Sequence, residues 1–110
     1  MNEELVGKIF EMISVAGTAK AKYIEAIRSA KEGKFDAAQV MIKEGGECFA
    51  AAHTIHAQML VSESEDIVES GEKFSVSLLL VHAEDQMMSA ETFRIISEEF
   101  IDVYKKLDEK

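Results

Sequence analysis

The sequence predicts an all-α protein, an antiparallel three-helix bundle, and three observations lead there. No proline occurs in 110 residues, where a chain of this length averages about five, and proline is the strongest helix breaker. Apolar residues recur at intervals of three and four along three long segments, the period of a helix face and not of a strand. Glycines and a serine- and acid-rich stretch fall between those segments, where helices stop. A hydrophobic fraction of 47% supports a packed interior, and the length is that of one domain, 1–110.

The first helix is expected over about 3–31. Leu5, Ile9, Met12, Ile13, Ala16, Tyr23, Ile24 and Ile27 form one stripe, with charges mostly on the other face. Gly33 follows, the residue that most readily takes the left-handed conformation ending a helix. The second helix is expected over about 37–66. Asp36 and Gln39 have the spacing of an acidic capping box, and Phe35 stands where a hydrophobic staple would. Its apolar face runs through Met41, Ile42, Phe49, Ala52, Ile55, Met59 and Leu60. Gly45 and Gly46 interrupt it at about 1 kcal/mol each relative to alanine, which close approach of a neighbouring helix would explain. From Ser62 to Lys73, with Gly71 inside, the chain reads as a frayed end and a loop.

The third helix is expected over about 75–107, with Ser75 as N-cap. Leu78, Leu79, Leu80 and Val81 are consecutive. At 100° per residue they cover most of a helix circumference, so that turn is expected to be buried on all sides. Two neighbouring helices leave one flank open, and self-association is the simplest way to cover it.

Charge narrows the function. Twelve Lys+Arg against twenty-one Asp+Glu give a formal net charge of −9, which offers no footprint for a phosphate backbone and disfavours a basic membrane-surface helix. Residues 1–34 hold six basic and five acidic side chains and residues 35–110 six and sixteen, so a basic partner would be steered to the second part. The N-terminus has no apolar core of a signal peptide and no apolar run is long enough to span a bilayer. A single cysteine, Cys48, forms no internal disulfide and reads as a small buried residue. A cytoplasmic protein is expected.

Three histidines are the candidates for chemistry. His53 and His56 share a face of the second helix, but neither they nor His82 follow a glutamate at the Glu-x-x-His spacing of di-metal bundles; polar packing is the simpler reading. His82 follows the apolar turn, with Asp85 three and Gln86 four residues on, placing polar groups beside a buried segment, which is costly unless they are satisfied or used.

The run Val76-Ser77-Leu78-Leu79-Leu80-Val81-His82-Ala83-Glu84-Asp85-Gln86-Met87-Met88 closely resembles the active-site segment of the IIA components of the lactose/cellobiose class of the bacterial sugar phosphotransferase system. Ala37-Ala38, Ala52-His53 with Met59-Leu60, and Tyr104-Lys105-Lys106-Leu107 extend the resemblance along nearly the whole chain. It implies a phosphocarrier that accepts a phosphoryl group from phospho-HPr on His82 and passes it to a cysteine of the IIB component. IIB then phosphorylates a β-linked disaccharide entering through the membrane channel IIC, the only link to the membrane. It implies a homotrimer, with Asp85 at the position that lies on the axis and can hold a divalent cation. No organic cofactor is implied.

Elementary chemistry sharpens those expectations. Imidazole attacks phosphorus through an unprotonated nitrogen, so His82 must be neutral. The nearest cations in sequence are Lys73 and Arg94, the latter about 18 Å along the helix, whereas Glu84 and Asp85 bear the wrong sign; at 5 Å and an effective dielectric of 20 each repulsion is on the order of 3 kcal/mol. Stabilising groups must come from another segment, another subunit or the partner. Three copies of Asp85 around an axis are costly unless protonated or bridged by a hard ion such as Mg²⁺, and both solutions remain open. Three positions depart from the family pattern: Glu84 and Gln86 stand for a glutamine and a second histidine, and His56 for a glutamine. If those groups orient the phosphoryl oxygens, Glu84 weakens the phosphohistidine. The competing reading is therefore a non-catalytic or regulatory helical trimer acting as a binding module. A histidine phosphotransfer domain fits less well, because Ala83-Glu84-Asp85 lacks the basic residue and glycine that usually follow its histidine.

Overall fold

The computed structural model describes the backbone of residues 3–70 and 77–110 and the side chains of 3–61 and 77–110. All of its regular structure is helical: α1 (Glu3–Lys31), α2 (Phe35–Ser70) and α3 (Leu78–Asp108). α1 ends as expected. Gly33 takes φ 80°; its N–H donates to the Ala30 carbonyl at 3.0 Å and the Lys34 N–H to Ser29 at 2.9 Å, which satisfies the last carbonyls of the helix.

Three boundaries differ from expectation. α2 starts at Phe35, and the Ala38 N–H already donates to the Lys34 carbonyl at 3.0 Å. Asp36 is therefore inside the first turn, where its charge suits the positive end of the helix dipole, and does not cap it. Phe35 is the first helical residue and packs on a cluster of Ala26, Ala30, Ala38 and Ile101. α2 also continues to Ser70, beyond the frayed end expected from Ser62. Serine and aspartate cost only a few tenths of a kcal/mol each in a helix, up to about 0.7, and no glycine or proline interrupts residues 62–70. Ser75 lies outside the described residues. The cap is Ser77, whose Oγ accepts the Leu80 N–H at 3.1 Å.

The helices run up, down, up, forming a rod of 63 × 19 × 19 Å. α1 is the central element and packs more extensively on each of the other two than they pack on each other. The main core joins Ile9, Met12, Ala16 and Tyr23 of α1 to Ala52 and Met59 of α2 and to Leu80, Ala83, Met87 and Ala90 of α3. Alanine is frequent there, which lets backbones come close.

The apolar turn is covered only in part. Leu80 is buried, but Leu78 is 85% exposed and Val81 42%, so the burial on all sides expected of residues 78–81 is not met within one chain. Met88 and Ile95 are likewise exposed, at 65% and 52%. Val81, Met88 and Ile95 recur every seven residues, an uncovered seam along the outer face of α3. No helix among the described residues is long and apolar enough to cross a membrane.

Candidate functional site

His82 lies in the second turn of α3 and is exposed. Its position follows from the helix phase. Leu80, Ala83 and Met87 face the core, which turns residue 82 outward at 100° per residue. No hydrogen bond or ion pair holds its ring among the described residues, so both ring nitrogens are open to an incoming group. Asp85, one turn further, is also exposed and lies in the apolar seam between Val81 and Met88. Gln86 is half-buried.

The two acids after His82 are not equivalent. Glu84 points across to α2, where its Oε1 accepts a hydrogen bond from Nε2 of His56 at 2.7 Å. Both partners are partly covered, with side-chain exposures of 20% for His56 and 37% for Glu84. Because a carboxylate oxygen only accepts, Nε2 of His56 carries the proton. The repulsion expected between Glu84 and a phosphoryl group on its own His82 is lessened by this direction. Positions two apart lie about 200° apart around a helix, and the carboxylate is tied on the far side. The sequence displayed each departure, His56 and Glu84, but not that they form one pair; only the packing of α2 on α3 joins residues 28 apart.

The remaining candidates behave simply. His53 is exposed and stacks on Phe49 at 6.4 Å between ring centroids. Cys48 is half-buried and packs against the main core. The charge of Arg94, the cation expected to be nearest along α3, acts on the Tyr23 phenol, partly offsetting the burial that disfavours its anion. Lys73 lies outside the described residues. No group of three or more His, Cys, Asp or Glu side chains able to hold a metal ion occurs within one chain among the described residues.

Comparison with known proteins identifies relatives of the chain and of its fold. The family model described as PTS system, Lactose/Cellobiose specific IIA subunit matches residues 7–105. A lactose-specific EIIA component of Staphylococcus epidermidis is 32% identical over 97 residues, 88% of each chain. The crystal structure of a cellobiose-specific enzyme IIA from Bacillus anthracis superposes with a TM-score of 0.88 at 34% identity, covering 100% of this chain and 96% of that one. The IIA(chitobiose) of an Escherichia coli complex with HPr matches with a TM-score of 0.76 at 29% identity, over 97% and 99% of the two chains. With the helical rod, the outward histidine of α3 and these likenesses together, the chain belongs to the lactose/cellobiose-specific IIA family of the sugar phosphotransferase system.

Proposed function

We propose that the chain is a phosphocarrier that takes a phosphoryl group from phospho-HPr onto His82 and gives it to a cysteine of its IIB component. The observation that carries this reading is the isolation of His82: a histidine turned outward beside an uncovered apolar seam, with neither ring nitrogen engaged among the described residues. In the first transfer a neutral ring nitrogen attacks phosphorus, the donor's N–P bond breaks, and the donor nitrogen keeps the electron pair. In the second the IIB thiolate attacks the same phosphorus and His82 recovers its lone pair. Such transfer depends on positioning and charge stabilisation more than on covalent machinery. The HPr complex of the chitobiose relative supports HPr as donor, and the acidic bias of residues 35–110 suits a basic partner patch. We place the site of action in the cytoplasm. The sugar belongs to the β-linked disaccharides, the class to which the lactose, cellobiose and chitobiose of the relatives' names belong.

The working unit is a homotrimer with three α3 helices around the axis. Exposed Val81, Met88 and Ile95 at heptad spacing support it, since parallel helices bury such seams. Asp85 occupies the intervening seam position, so three carboxylates converge. Their oxygens are hard donors that fit Mg²⁺ completed by water. The ion would neutralise mutual repulsion and hold the helices together.

Incubation with phosphoenolpyruvate, Enzyme I and the cognate HPr, followed by intact mass, tests the carrier. The expected result is one acid-labile phosphate on the wild type and none on His82→Ala. An unlabelled wild type would leave the non-catalytic trimer as the better reading, and equal labelling of His82→Ala would move the acceptor elsewhere.

A further inference from the structure

The His56–Glu84 pair has no counterpart on the face that bears His82, and its place around α3 gives it a use. Taking the middle of the Val81–Asp85–Met88 seam as zero, His82 lies about 90° to one side and Glu84 about 70° to the other at 100° per residue. Along the axis they are about 3 Å apart. A threefold axis along the seam turns the His82 flank of each α3 toward the Glu84 flank of the next, with that offset of about 3 Å kept. Each subunit thus separates the two groups, and the assembly brings them back together.

We propose that Glu84, held by His56, is a positioning residue for His82 of the adjoining copy. This inference rests on the trimeric carrier described above. His56 Nε2 occupies one carboxylate oxygen at 2.7 Å; the other has no partner among the described residues and accepts the ring N–H of the neighbour's His82. That contact selects the tautomer whose opposite nitrogen bears the lone pair. When that nitrogen attacks phosphorus, the donor N–P bond breaks, the ring keeps its single proton, and the carboxylate stabilises the positive charge the imidazole gains. The negative charge of Glu84 therefore stands at the ring edge away from the phosphoryl oxygens, and a glutamate two residues from the acceptor becomes an asset. His56 fixes the carboxylate so that it does not turn toward the phosphoryl group or into solvent.

Mixed trimers provide the test. By analogy with carboxylates that orient metal-bound histidines, Glu84→Ala is expected to slow phosphoryl uptake from phospho-HPr about 10- to 100-fold, and His56→Ala to slow it less. Glu84→Gln keeps one acceptor oxygen but loses the second acceptor and the charge, so its rate is expected to fall between those of Glu84→Ala and the wild type. Glu84→Ala subunits keep His82, and His82→Ala subunits keep Glu84. Co-expressed in equal amounts and purified as trimers, the pair should recover about a quarter of the wild-type rate per subunit, because about half of the intact histidines then face an intact carboxylate. His56→Ala mixed with His82→Ala should rise in the same way, which keeps the test open if Glu84→Ala does not assemble alone. A full rate for Glu84→Ala overturns the inference, as does a mixture that stays at the level of its Glu84→Ala subunits. A wild type that takes up no phosphate, or is not trimeric by native mass, would instead remove the carrier or trimer reading on which the inference stands.

Discussion

Gly45 and Gly46 are neighbours in sequence but meet different surroundings. A Cβ on Gly45 would lie 2.6 Å from Cε1 of Tyr23, whereas one on Gly46 meets nothing within 4 Å. Of the two glycines read as marks of close helix approach, only the first is one, because only its face of α2 meets the buried Tyr23 ring of α1. Gly45→Ala is expected to lose about 1–2 kcal/mol, the strain of overpacking exceeding the helix-propensity gain, and Gly46→Ala to gain up to about 1 kcal/mol. Urea unfolding at one protein concentration checks both. The Tyr23 hydroxyl is buried with no hydrogen-bond partner among the described residues. Burial raises its pKa above 10.0, against the pull of Arg94. The folded protein thus keeps a proton that the unfolded chain loses, and stability falls as pH rises through and beyond the ordinary tyrosine range. Tyr23→Phe should be neutral or stabilising by up to about 1 kcal/mol at pH 7 and should flatten that alkaline decline. Tyr23 was legible as core from its place in the α1 stripe. Its unsatisfied hydroxyl was not, since which polar atoms find partners depends on all three helices at once.

At the scale of the helix, periodicity identified α1 closely, while the ends of α2 and α3 were harder to read. The reason is visible at Ser75 and Ser77: both are good capping residues two positions apart, and the apolar periodicity that follows is the same whichever of them starts the helix. Ser77 is the cap, and the phase that puts Leu80, Ala83 and Met87 on the core turns His82 outward. Ser77→Ala removes the acceptor for the Leu80 N–H and should cost about 1 kcal/mol, whereas Ser77→Asp should hold stability through the same bond and the helix dipole. Thermal unfolding compares the two. The same substitution loosens the turn that presents His82, so, if His82 is the acceptor as proposed, Ser77→Ala should also slow phosphoryl uptake while Ser77→Asp restores it. The helix α2, 36 residues long, shows the limit of composition: a serine- and acid-rich stretch resembles a loop, yet without glycine or proline it continues the helix that precedes it.

For the whole molecule, the apolar residues that remain exposed on α3 carry as much information as those in the core. Four consecutive apolar residues implied a surface to be covered, and the rod leaves Leu78 and Val81 open. With Asp85 in that seam, Asp85→Asn should give a trimer as stable as the wild type or more so without added divalent ion, while chelation should weaken the wild type alone. Sedimentation with and without EDTA reads this out. Dissociation of Asp85→Asn to monomers would show that the charged carboxylate is required through its ligand, and a wild type indifferent to chelation would favour protonated or hydrogen-bonded aspartates. The acidic excess of residues 35–110 adds a kinetic expectation: phosphoryl uptake from HPr should slow as ionic strength rises, since screening removes steering between unlike charges.

A rod only 19 Å across leaves no side chain more than about two side-chain lengths from water, given that one helix with its side chains is 10–12 Å wide. Within the single chain the histidine is offered on an exposed face. For the proposed carrier, throughput would be governed by collision, so doubling the concentration of donor or acceptor protein should raise the flux. As the proposed carrier, this chain would let the cell set the pace of sugar entry by how many copies of each component it makes.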